Sequence, residues 1–153
     1  MAAEYVYNEI QTVSLNSPVN FNNSMPCKKG YVVHNNSDGI FILRGITNQC
    51  FTIYRVIFNG NIAVPTGGTV PDGGIAVAIT VNGEPRLTSK AIFVPAAAGD
   101  NYGNVTSTAI IRVPKGCCFS LSVDAVPASL DPTVTPAPQI AVQNSNLVIT
   151  RIA

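Results

Sequence analysis

Apolar residues recur along this chain with a period of two. The runs YVVH, GIFILRGI, FTIYRVIF, GIAVAITV, KAIFV, STAIIRV, CFSLSV and NLVITRI are short, rich in Val, Ile and Thr, and bounded by Gly, Pro or Asn. With one or two further strands between Tyr5 and Phe21, they predict about nine or ten strands. No stretch of about a dozen residues carries a capped helical stripe. The pattern predicts an all-β chain, an antiparallel β-sandwich or barrel.

The connections fit that reading. The segment Asn35 to Gly39, in VVHNNSDGIFI, is expected to close a hairpin through Asx turns, with Gly39 at positive φ. The Asn82-Gly83 pair of VNGEP is the favoured type I′ turn. No strand is expected through VPTGGTVPDGG (Val64 to Gly74), with its four glycines and two prolines. AVPASLDPTVTPAPQ has four prolines, and its stretch 126–139 reads as an exposed, semi-extended loop. No repeat or linker divides the chain, so residues 1–153 read as one domain. Residues 1–15 are either its first strand or an N-terminal attachment arm; Tyr5, Tyr7, Ile10 and Val13 would carry the arm's contacts, added to a neighbour's sheet edge.

Charge then narrows the function. Only 11% of the 153 residues are charged, against roughly 25% in an average soluble domain. The net charge is +1 with no basic run, which argues against a nucleic-acid role. A 46% hydrophobic content and a mean hydropathy of +0.28 predict that apolar surface is buried against other chains. MAAEYVYNEIQTV has no basic or apolar signal-peptide region, and no apolar run nears the roughly 20 residues of a membrane-spanning helix. The expectation is a soluble protein made in the cytoplasm, without membrane insertion.

The chemistry-bearing residues are sparse. Cys27, Cys50, Cys117 and Cys118 lack the knuckle spacing of a zinc site, and His34 is the one histidine available as a base. They read as structural thiols. Strand alternation places Cys117 with Phe119, Leu121 and Val123, which predicts that it is buried and that Cys117→Ser costs about 1–3 kcal/mol. Cys118 falls on the face of Ser120 and Ser122, open to pairing or an interface, and one disulfide among the remaining thiols stays an option. Asp72 and Asp100 lack calcium-loop spacing. The sequence thus predicts no catalytic residue, no cofactor and no metal.

Several segments together carry a resemblance: GYVVHNNSDGIFILRGITNQC, YRVIFNGNIAVPTGG, AITVNGEP, VPKGCCFSLSV and IAVQNSNLVITRIA. From about Gln11 to Ala153 the chain resembles small virion structural proteins of tailed phages and prophages of gut bacteria. The resemblance implies a jelly roll of the tumour-necrosis-factor and complement-head type and a homotrimer. It also implies a non-enzymatic role as a capsid decoration or head-fibre protein, assembled in the host cytoplasm and partnered by phage capsid or other virion proteins. The alternative is an adhesin tip that recognises glycans or a host-cell surface. That reading asks for exposed aromatic faces in a chain with five Tyr and no Trp.

Overall fold

The computed structural model describes residues 1–25, 30–34 and 38–153. Two antiparallel sheets face each other. The first has five strands in the order β2 (Asn23–Met25), β1 (Ala2–Ser14), β11 (Gln139–Arg151), β5 (Phe51–Ala63) and β9 (Gly103–Pro114). The second runs β3 (Val32–His34), β4 (Phe41–Arg44), β10 (Cys118–Pro127), β6 (Ile75–Val81) and β7 (Glu84–Pro85), with β8 (Ala91–Phe93) also paired to β6. The eleven strands of the described residues exceed the nine or ten expected because β2 and β7 have only three and two residues.

The inner faces share one core. Along β5, Thr52, Tyr54, Val56, Phe58 and Ile62 are fully buried while Phe51, Arg55 and Asn59 are exposed, the alternation that a pleated strand imposes. Opposite them, Phe41, Leu43, Leu121, Val123, Val77 and Ile79 are buried from the second sheet. Phe21 bridges the two, edge-on to Phe41 at 5.7 Å and to Phe58 at 6.5 Å between ring centroids. The hydroxyl of buried Tyr54 donates to the carbonyls of Arg44 (2.6 Å) and Tyr31 (3.2 Å), tying the sheets together at one end.

Strand β6 is buried on both faces. Its small outer residues Ala76 and Ala78 pack with Val126 and Ala128 in a second, smaller cluster. A 3-10 turn, Leu87–Ser89, borders that region; the Ser89 hydroxyl accepts from the Ile79 N–H (2.9 Å) and donates to the Arg86 carbonyl (2.6 Å), which satisfies this buried polar group.

The turns sort into two outcomes. Asn82 (φ 52°) and Gly83 (φ 80°) both adopt positive φ, as a type I′ turn requires. Strands β3 and β4 form the expected hairpin, with His34 opposite Phe41. Asp38 Oδ1 accepts from the N–H groups of Gly39 (2.6 Å) and Ile40 (3.1 Å) as an Asx turn; residues 35–37 of that loop lie outside the described residues. Gly39 does not take positive φ. A Cβ there would strike the Val19 carbonyl and Pro18, so close backbone approach, not left-handed geometry, calls for glycine. Val64–Gly74 carries no strand and joins the two sheets. The proline-rich segment is only partly exposed: β10 extends to Pro127, Ala128 and Ala137 are buried, and Leu130 at the tip is 80% exposed.

Candidate functional site

The residues singled out by sequence do not converge on one reactive site. Cys50, Cys117 and Cys118 are all exposed and all free; Cys27 lies outside the described residues. The expectation that Cys117 is buried is therefore corrected. The face assignment is right for the strand itself, since Leu121, Val123 and Ala125 are buried on one side of β10. But the strand starts at Cys118, and Cys117 sits in the preceding turn, where its N–H donates to the Pro114 carbonyl (3.0 Å). A residue outside the ladder is not governed by the alternation of the ladder. The three thiols share one end of the sandwich: Lys115 N–H donates to the Cys50 carbonyl (2.9 Å) and Gly45 N–H to that of Cys117 (2.8 Å).

The N-terminal segment is an integral strand in this chain, not a free arm. Strand β1 pairs with β11 from Ala2 opposite Thr150 to Ser14 opposite Gln139. Tyr5 and Val13 are buried in the chain's own core and so are withheld from a neighbour. Tyr7 is half-buried, and Ile10 is 54% exposed beside a register shift in β1.

His34 is a packing residue. Its ring stacks on Phe41 at 4.2 Å and meets Tyr5 edge-on at 5.0 Å, while Nε2 hydrogen-bonds the Asp38 carbonyl at 2.7 Å. Asp72 and Asp100 occupy loops at the end away from the thiols, and no group of three His, Cys, Asp or Glu among the described residues could hold a metal ion.

What the fold does assemble is the outer face of the five-stranded sheet. Register sets its rows. Ala2, Thr150, Arg55 and Ile110 form one; Glu4, Val148, Ile57 and Thr108 form the next; then come Val6, Asn146, Asn59 and Thr106. Beyond a register shift in β1 and β11 follow Ile10, Gln143, Asn61 and Asn104. The face is thus mixed toward the thiol end, where Ile57, Val148 and Ile110 lie beside Arg55 and Glu4, and carboxamide-rich toward the other. Asn104 Nδ2 donates to Oδ1 of Asn59 (2.8 Å) and of Asn61 (3.2 Å), which holds these amides in place. Ile110 is 47% exposed. Sequence reading missed this face because it clipped β5, β9 and β11 where Asn, Gly and Thr replace Val and Ile. The signal was present in FTIYRVIFNGNIA, whose alternate residues run Phe, Ile, Arg, Ile, Asn, Asn on the outside.

The sequence matches no family profile and no curated protein. Solved structures do match. The globular domain of zebrafish complement 1qA protein aligns with a TM-score of 0.61 at 12% identity, over 99% of this chain and 97% of that one. The fold is a jelly roll of the complement-head and tumour-necrosis-factor type. Eiger TNF from S. frugiperda gives 0.61 at 13% identity over 100% and 92%, and murine APRIL at pH 5.0 gives 0.58 at 10% over 99% and 100%. Identities this low speak for the jelly roll alone.

Proposed function

We propose that this jelly-roll chain is a non-enzymatic virion structural protein, a capsid decoration or head-fibre component, that works as a homotrimer. The observation that carries the self-association is the outer face of the five-stranded sheet. It is broad, with Ile57, Val148 and Ile110 among threonines and amides and with Arg55 and Glu4 as the charges of its four rows. A single chain leaves it in water, whereas an obligate partner would cover it. Each interface of a trimer should bury on the order of 800 Å² per partner. The virion role rests on the resemblance carried by the segments quoted above, and the jelly roll that this resemblance implies is the fold of this chain. The adhesin alternative asks for a ring-lined site. The two grooves between the Gly/Pro loops, of about 290 and 390 Å³, are lined by Gly, Pro, Thr, Ala, Val and Gln.

Two measurements test the proposal. Light scattering at micromolar concentration should give three times the 16.1 kDa chain mass; a species of 16.1 kDa alone removes the trimer. A cryo-EM map of the parent particle should show threefold density of this size on the capsid or its fibres, and density confined to a tail tip would favour adhesion instead.

A further inference from the structure

We infer that the end of the sandwich bearing both chain termini is a docking face for a protein surface that presents carboxylates around apolar side chains. The inference goes beyond the trimer reading; Phe51 and Arg112 lie at the rim of the outer sheet face, so the docking face is carried chiefly by Arg44, Lys115, Ile46 and Ile152. Charge is weighted along the long axis. It is positive at the terminal end despite Glu84 after the Asn82-Gly83 turn and Glu4 of β1, and negative at the other end despite Lys90, whose Nζ donates to the Ala128 carbonyl (3.3 Å). At the terminal end lie Arg44, opposite Cys118, Lys115, beside Cys50, Arg112, opposite Ile53, and Arg151, whose N–H donates to the Met1 carbonyl (3.1 Å). Asp72, Asp100 and Asp131 sit in the loops of the far end, those that follow β5, β8 and β10. Among the described residues no ion pair joins the two signs. The cations are held instead by neutral groups. Arg112 lies 4.9 Å over the Phe51 ring, and Arg151 lies 4.4 Å over the Tyr31 ring. Arg44 Nη1 donates to the Gly30 carbonyl (3.2 Å). Arg151 Nε also donates to the Ala153 main-chain oxygen (3.3 Å), so its fork is partly engaged, whereas the guanidinium of Arg112, stacked on a ring, is pre-oriented for a carboxylate.

The same end exposes Ile46 (40%), Phe51 (39%) and Ile152 (48%). Apolar side chains interleaved with arginines are the composition of a protein interface, whereas a phosphate-tracking surface has no use for them. That mixture selects an acidic protein surface over a nucleic acid. It also gives the end two ways to discriminate, since a partner must offer both carboxylates and apolar contact.

A glutamate–tyrosine copolymer serves as the probe, with polyglutamate and oligothymidylate as comparators, read by fluorescence anisotropy on the whole chain. The native protein should bind the copolymer more tightly than polyglutamate, and binding should fall as salt rises from about 50 to about 500 mM. The double variant Arg44→Gln/Lys115→Gln should bind about tenfold more weakly, as expected for two exposed charge pairs. Asp131→Asn at the opposite end should leave binding unchanged. Lys115→Glu alone keeps the test readable if the double variant fails to fold, because the Lys115 side chain is exposed and makes no hydrogen bond or ion pair among the described residues. Failure of the native chain to bind the copolymer overturns the inference. So does native affinity in the charge variants, or equal affinity for oligothymidylate.

Discussion

The two sheets enclose the same core but are built on different plans. In the five-stranded sheet, β1, β5 and β11 each run thirteen residues and β9 runs twelve. In the other sheet, β3, β4 and β8 have three or four, and only β10 reaches ten. The long sheet has a broad outer face, because long pairing, interrupted only by the register shifts in β1 and β11, fixes which side chains point outward. The short sheet is patched along its edges. Where β4 leaves β10, the chain from Asn16 to Val19 takes over, with Val19 N–H donating to the Val123 carbonyl (2.8 Å) and Asn16 N–H to that of Ala125 (2.7 Å). Its outer face is partly closed by the cluster around Ala76 and Val126. One sheet thus offers a surface to other molecules, while the other spends its outer face on the chain's own loops.

Deleting residues 2–10 should break the comparison most severely. It removes buried Ala3 and Tyr5 and strips β11 of one neighbour, so the expected outcome is loss of the cooperative melting transition. A folded trimer that no longer binds its particle would restore the arm. Next comes Ile110→Asp, on the outer face of the long sheet. Because Ile110 is already 47% exposed, the chain itself should lose no more than about 1 kcal/mol, while light scattering should show the trimer gone at micromolar concentration. Ile92→Asp on the short sheet, at 51% exposure, should leave the trimer intact; equal effects would sink the distinction between the faces.

A smaller effect is expected at Asp124 of β10. Burial raises its carboxyl above the ordinary 3.8, and the Ser122 hydroxyl (2.8 Å) pulls the other way. The folded state therefore holds this proton more tightly than the unfolded chain. Stability is greatest with the group protonated and declines as pH climbs from the ordinary carboxylate value through the raised one. Asp124→Asn should remove that decline, so its melting temperature should match the parent's at about pH 3 and exceed it at about pH 7. A variant that melts lower at neutral pH would mean that the charge is needed. The smallest change belongs to Cys117→Ser, within about 0.5 kcal/mol by denaturant melt, because the exposed turn thiol contributes no core packing.

The strands and the Asn82-Gly83 turn were legible because alternation and turn chemistry are local properties. What escaped was local pattern overruled by pairing. The stretch NGNIA of β5 and the stretch from Gly103 to Thr106 of β9 look like loop, yet they are strand because each has the other as a partner. Glycine at position 39 was foreseen for the wrong reason, since the crowding by Pro18 and Val19 comes from a segment distant in sequence. Cys117 was misplaced because no rule of alternation states where a strand begins. The sandwich was readable; the face it offers and the end on which charge gathers required the register.

The pairing of β1 with β11 also sets an order in time. The first strand has its main partner in the last, and the N–H of Arg151 closes onto the carbonyl of Met1. A growing chain can form the β3–β4 hairpin and the β5–β9 pair early, but β1 has to wait for its main partner until β11 has emerged from the ribosome. Until then β1 has only the three-residue β2 beside it, and sheets closed by such distant contacts fold slowly. Before β11 docks the chain is therefore most exposed to aggregation and to proteolysis around β1.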